Sequence, residues 1–227
     1  MQFRLGLSFQ DSGILGNRKM LRYATLALLF LVALTQTAPA DFNQEIRRCN
    51  FESPHPDIRI VACTRNIQSG RFTGKNLALA FTSRGLAFRE KRQWDKAIAD
   101  YDEALRINPH IAATLTNRGN AYYFKGQFDR AIKDYDEAIR LSPNLSEAFS
   151  NRGNVYRKTG QYDRAIQDYD KAIQIEPDDA QIFADRGLAY EKKGKPTKAL
   201  LDFKKAFVLG FRHSLLLKKL RESGELL

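Results

Sequence analysis

The sequence predicts an all-α protein built as a solenoid of helix–turn–helix repeats, and three observations carry the prediction. Glycine recurs every 34 residues at Gly85, Gly119, Gly153 and Gly187, with alanine in the same rhythm at Ala97, Ala131, Ala165 and Ala199. An aromatic ring follows at Tyr101, Tyr135, Tyr169 and Phe203, then a second alanine at Ala104, Ala138, Ala172 and Ala206. Proline closes three of the units at Pro109, Pro143 and Pro177. A period of this size means that no unit can bury its own apolar face, so each must stack on a neighbour. The units run 78–111, 112–145, 146–179 and 180–213.

Within a unit the first segment carries apolar residues at helical spacing, as in Leu115, Ala121 and Tyr122. Lys125-Gly126-Gln127 then interrupts the pattern, and glycine suits a helix C-terminus that needs a positive φ. The second segment repeats the stripe at Ala131-Ile132, Tyr135, Ala138-Ile139 and Leu141. Asp95, Asp129 and Asp163 stand where second helices begin and complement the helix dipole. Pro196 costs little near the start of the last second helix, where the N–H is unpaired in any case.

These positions resemble the tetratricopeptide repeat. A large apolar residue stands fourth in each unit (Phe81, Leu115, Phe149, Phe183), glycine eighth, and an aromatic eleventh (Phe88, Tyr122, Tyr156, Tyr190). The resemblance spans residues 78–213 and implies a right-handed superhelical solenoid acting as an interaction module. One departure stands out. Arg84, Arg118, Arg152 and Arg186 precede each glycine where the family usually has an apolar residue. Asp100, Asp134, Asp168 and Asp202 recur with the same period, so each arginine is expected to reach an aspartate of this set as a partly buried ion pair. The other reading is an arginine row that binds an anionic partner.

Residues 1–40 read as an address. Met20-Leu21-Arg22 leads into the apolar run Ala24–Leu34, then Ala38-Pro39-Ala40, the order of a secretory signal peptide. Residues 1–19 either lengthen the basic end or reflect a start assigned before Met20. The apolar run falls short of the roughly 18 residues that span a bilayer. The expected location is therefore a bacterial periplasm or the medium, with an inner-membrane signal anchor facing the periplasm as the alternative. Residues 41–77 read as a degenerate repeat with a short first helix around Phe42–Cys49 and a second marked by Ile58, Ile60, Val61, Cys63 and Ile67. Cys63 stands four residues further from Tyr101 than one period, and the stretch Ser69–Gly74 is expected to absorb the surplus as a loop. Cys49 and Cys63, the only cysteines, form an expected disulfide in an oxidising compartment, with two buried free thiols as the alternative. Residues 214–227 form an expected capping helix.

Catalytic chemistry is not indicated. His55, His110 and His213 lack a partner at metal-ligand spacing, and no nucleophile–base pair stands out, so no enzyme activity, metal, cofactor or small-molecule substrate is expected.

Family resemblance places the binding groove on the first helices, at Thr116, Asn117, Asn120 and Tyr123 in the second unit and Ser150, Asn151, Asn154 and Arg157 in the third. Asparagine pairs one period apart can donate to and accept from the backbone of an extended peptide, or can simply bond across helices. Asp185 and Glu191 end the groove and point to a basic residue in the ligand. The family's clamp for a C-terminal carboxylate does not fit, because Thr116, Gln181 and Asp185 occupy positions that need basic residues. The expected function is a protein-binding scaffold of the cell envelope. The net charge of +11 keeps open a surface that binds an anionic polymer, membrane or nucleic acid. Against nucleic acid stand the export signal and the absence of any Lys/Arg run longer than two. Membrane contact is expected only through an uncleaved leader.

Overall fold

Each 34-residue unit folds as two antiparallel helices because its two apolar stripes face each other across a tight turn, which contains glycine in three of the four units. The computed structural model of the chain describes Cys49 and residues 55–225. The expected signal peptide, and all but Cys49 of the helix expected around 42–49, lie outside the described residues. The described helices are α1 (Pro56–Gln68), α2 (Gly74–Glu90), α3 (Trp94–Ile107), α4 (Ala112–Phe124) and α5 (Phe128–Leu141). They continue as α6 (Ser146–Lys158), α7 (Tyr162–Ile175), α8 (Ala180–Lys192), α9 (Pro196–Val208) and α10 (Ser214–Glu222). The described residues form an all-α solenoid, and none of their helices is long and apolar enough to cross a membrane. Pairs α2/α3, α4/α5, α6/α7 and α8/α9 are the four repeats, and consecutive first helices also touch along the inner side.

The recurring small and large residues pack against each other. Tyr101, Tyr135 and Tyr169 are buried beneath the glycines of their own units. A β-carbon placed on Gly119 would lie 2.7 Å from Tyr135 Cε1, and one on Gly187 would lie 2.6 Å from Phe203 Cε1. Glycine is therefore needed where the aromatic ring crosses the first helix. Burial of each ring contributes about 2–3 kcal/mol of hydrophobic stabilisation.

The turn between helices is a Schellman closure. The N–H of Gln127 donates to the Tyr122 carbonyl at 2.9 Å, and that of Gly126 donates to Tyr123 at 2.9 Å. Gly126, Gly160 and Gly194 hold the left-handed position at φ 73°, 79° and 73°. In the first unit that position is Arg92, at φ 55°.

Two expectations at the amino-terminal end need correction. Cys49 and Cys63 are joined in a disulfide, with Cα atoms 4.8 Å apart. The buried face of α1, however, is Arg59, Ala62, Cys63 and Asn66, whereas Ile58 and Val61 are about half exposed. Cys63 must point inward to meet Cys49, and that choice rotates the isoleucine–valine side outward. The four-residue surplus is not all loop. It enters α2, which begins at Gly74 and has 17 residues against 13 in α4, α6 and α8. One extra helical turn absorbs the insertion without disturbing the stacking that follows.

At the other end α10 takes the register of a fifth first helix, Ser214 standing 34 residues after Ala180. Leu216 and Leu220 bury against the last repeat, and Lys219 pairs with Glu191. Lys204 pairs with Glu225 at 2.6 Å.

Candidate functional site

The arginine and aspartate rows form a continuous ion-pair ladder. Arg118 donates Nε to Asp134 Oδ2 at 2.8 Å and Nη2 to Oδ1 at 2.7 Å, and Arg84, Arg152 and Arg186 grip Asp100, Asp168 and Asp202 in the same way. The remaining nitrogen reaches back to the preceding unit. Nη1 of Arg118, Arg152 and Arg186 donates to Asp102, Asp136 and Asp170 at 2.7, 2.5 and 2.7 Å, and Nη1 of Arg84 donates to Thr64 at 3.1 Å. These outer aspartates were not singled out from the sequence. Their signal is the Asp-Tyr-Asp triplet at 100–102, 134–136 and 168–170. Burial pushes the Asp134 and Asp168 carboxyls above the ordinary carboxylate value, and the guanidinium contacts pull back against it. The hydrogen bonds that Arg152 donates to Asp168 lead the causes that raise its guanidinium.

The first-helix face is a knitted polar surface. Tyr135 Oη donates to Asn120 Oδ1 at 2.6 Å, and Tyr169 Oη donates to Asn154 Oδ1 at 2.8 Å. Each pair is separated by 15 residues. The same spacing sets Phe203 against Leu188, a matched apolar pair, but sets Tyr101 against Leu86. The buried Tyr101 hydroxyl consequently has no partner among the described residues. Burial raises all three tyrosines above the ordinary phenol value.

Bridges also cross between units on this face. Arg89 donates to Asn117 Oδ1 at 2.7 Å, and Arg157, one arginine two units on, donates to Asp185 at 3.2 Å, Asn154 at 3.0 Å and Tyr169 Oη at 3.2 Å. Asn120 Nδ2 lies 3.5 Å from Glu147, whose backbone carbonyl accepts from Ser150 at 3.1 Å.

Several expected groove residues therefore have other duties. Thr116 is buried, its hydroxyl donating to the Ala112 carbonyl at 3.0 Å, because its helix position turns toward the neighbouring unit. Asp185 is buried between Arg157 and Gln181, and burial raises its carboxyl. Since Asp185 and Glu191 are both paired internally, they give no reason to expect a basic ligand residue. Asn151 is half-buried and, among the described residues, its side chain has no hydrogen-bond partner, nor has Nδ2 of Asn154. Tyr123 is half-buried, its ring edge-on to Phe124 at 5.4 Å.

Sequence reasoning passed over the junction of the first and second units. Phe124 is 60% exposed and stacks on Trp94, with ring centroids 4.7 Å apart and planes 9° from parallel. The signal was available as departures from the period, since Glu90, Lys158 and Lys192 occupy the position of Phe124 in the other units. No group of three or more His, Cys, Asp or Glu is placed to hold a metal among the described residues.

A family model for the TPR repeat matches residues 85–126, 119–160 and 153–194. The chain belongs to the tetratricopeptide-repeat family. Solved tetratricopeptide structures share its fold. A crystal structure of MamA is 25% identical, with 75% of this chain and 85% of that chain covered and a TM-score of 0.58. MamA from Desulfovibrio magneticus RS-1 is 16% identical over 74% of this chain and 92% of that chain, with a TM-score of 0.65. YrrB, described as a TPR protein with an unusual peptide-binding site, is 21% identical over 73% of this chain and 84% of that chain, with a TM-score of 0.59. No curated protein sequence matches the chain.

Proposed function

We propose that this tetratricopeptide array is a non-enzymatic protein-interaction module of the cell envelope, holding an extended segment of a partner protein along its first-helix face. The observation that carries the proposal is the orientation of Asn120 and Asn154. Their carbonyl oxygens accept from Tyr135 and Tyr169, which fixes their amide nitrogens one period apart; that of Asn154 has no partner among the described residues, and that of Asn120 has a long contact, 3.5 Å, to Glu147. Asn151 adds an amide with no hydrogen-bond partner among the described residues. YrrB, a protein of the same fold, is described as having a peptide-binding site. The envelope location is supported by the leader-like segment ending at Ala38-Pro39-Ala40 and by the Cys49–Cys63 disulfide, a bond that persists in oxidising compartments.

A general polyanion-binding surface fits less well. Arg84, Arg118, Arg152 and Arg186 are each held by an aspartate, and Lys91, Lys125, Lys193 and Lys219 each face a carboxylate. Much of the basic charge is therefore neutralised within the array.

A photo-reactive residue at Asn151 in intact cells tests the reading. The expected result is a protein adduct in the envelope fraction, absent when the probe stands at exposed Lys133 on a second helix. Adducts at Lys133 alone would overturn it.

A further inference from the structure

We propose that the junction of the first and second units is a docking site for an acidic peptide segment, with its carboxylate on Arg89 and Arg92 and an aromatic or proline side chain on Phe124. The proposal rests on the peptide-binding reading above and gives it a place and a ligand chemistry.

The junction holds a cleft of about 290 Å³ lined by Arg89, Glu90, Arg92, Trp94, Asn120 and Phe124. Arg92 occupies the left-handed turn position that Gly126, Gly160 and Gly194 fill elsewhere, and is the non-glycine residue at positive φ among the described residues. A β-carbon there works against the left-handed backbone, so the presence of Arg92 calls for a use that the turn itself does not supply. The use is in its charge. Arg92 has no ion-pair partner among the described residues, and Arg89 bonds only to the neutral Asn117. The surrounding charges are compensated, Lys91 by Asp57, Lys125 by Asp95 and Glu90 by Arg59. Two guanidinium groups are thus left to face one exposed aromatic stack, the arrangement that takes a carboxylate beside a flat apolar side chain.

Single-stranded nucleic acid also uses cations and stacking, but it needs a basic track for successive phosphates. Here the neighbouring lysines are neutralised, and Glu90 forms part of the wall. An acidic peptide needs only the local pair of arginines.

Trp94 is the single tryptophan of the chain, so its emission reports on this cleft alone. The full chain is titrated with a fluorescein-labelled, amidated hexapeptide Glu-Asp-Phe-Pro-Glu-Asp, following Trp94 emission in one channel and peptide anisotropy in the other. Arg92→Gly is the decisive variant, since glycine suits the turn and the array stays folded; Phe124→Ser removes the exposed ring without adding charge. Each is expected to weaken binding at least tenfold, as is replacement of the peptide's acids by their amides. Unchanged affinity in Arg92→Gly, or equal binding of oligodeoxythymidylate, would overturn the site. Anisotropy that rises without a Trp94 response also overturns it, yet leaves the groove reading intact. Absence of binding in both channels overturns this site, while crosslinking at Asn151 decides the groove reading separately.

Discussion

Arg152 holds Asp168 through two parallel hydrogen bonds, Nε to Oδ2 at 2.9 Å and Nη2 to Oδ1 at 2.7 Å, with the carboxylate 8% exposed. Removing the arginine strands a buried charge. Arg152→Leu is expected to cost about 3 kcal/mol. Arg152→Leu combined with Asp168→Leu should recover part of that loss, because the stranded charge goes with its partner. The shift in urea midpoint measures both. A double variant no more stable than the single one would show that the pair itself, rather than the desolvated carboxylate, dominates.

Tyrosine hydroxyls one unit apart should respond in opposite ways. Tyr135→Phe breaks the bond to Asn120 and is expected to cost about 1 kcal/mol. Tyr101→Phe removes a hydroxyl that has no partner among the described residues, and should leave thermal stability unchanged or improved. In the tyrosine background, Leu86→Asn places an acceptor where the second and third units have one. Equal losses at Tyr101 and Tyr135 would contradict the assignment.

The turn residues give a third test. Arg92→Gly relieves a left-handed non-glycine residue and should stabilise the chain by about 1 kcal/mol, whereas Gly126→Ala at φ 73° should destabilise it by about the same amount. Thermal melts of the two variants should therefore shift in opposite directions.

Alkaline stability follows from the buried phenols. Tyr101, Tyr135 and Tyr169 have folded-state values raised from the ordinary 10.0 by burial, so they keep their protons after an unfolded chain would release them. Their contribution is fully present below pH 10 and is lost as pH rises beyond it. The part of the tyrosinate absorbance near 295 nm that comes from these three should accompany unfolding rather than precede it. A smooth titration of all nine tyrosines in the folded state would refute this.

The fold was legible because stacking demands the same residue at the same place in every unit. Gly119 and Tyr135 can be read as a contact from their period alone, and so can Arg118 beside Asp134. What escaped was information carried by exceptions. Leu86 in place of asparagine, Arg92 in place of glycine and Phe124 in place of a charged residue are each ordinary in composition, and become meaningful only when the neighbouring unit is laid against them. The α1 face escaped for another reason. A disulfide outweighed the isoleucine–valine stripe, and periodicity does not register a covalent bond. Thr116 and Asp185 were placed by register on the groove side, but register does not show how deeply the neighbouring unit covers them.

Lys204 stands where the three earlier units have Asp102, Asp136 and Asp170, and Leu220 where they have the ladder arginine. In the language of polymerisation, α10 accepts the growing end through its apolar face but carries no functional group with which to propagate. The second and third units, by contrast, offer an arginine at one face and an aspartate at the other, as a bifunctional monomer does. The repeat row therefore has a chemical terminator distinct from its monomers. A duplicated middle unit should extend the array, whereas one grafted after α10 should find no ladder to join.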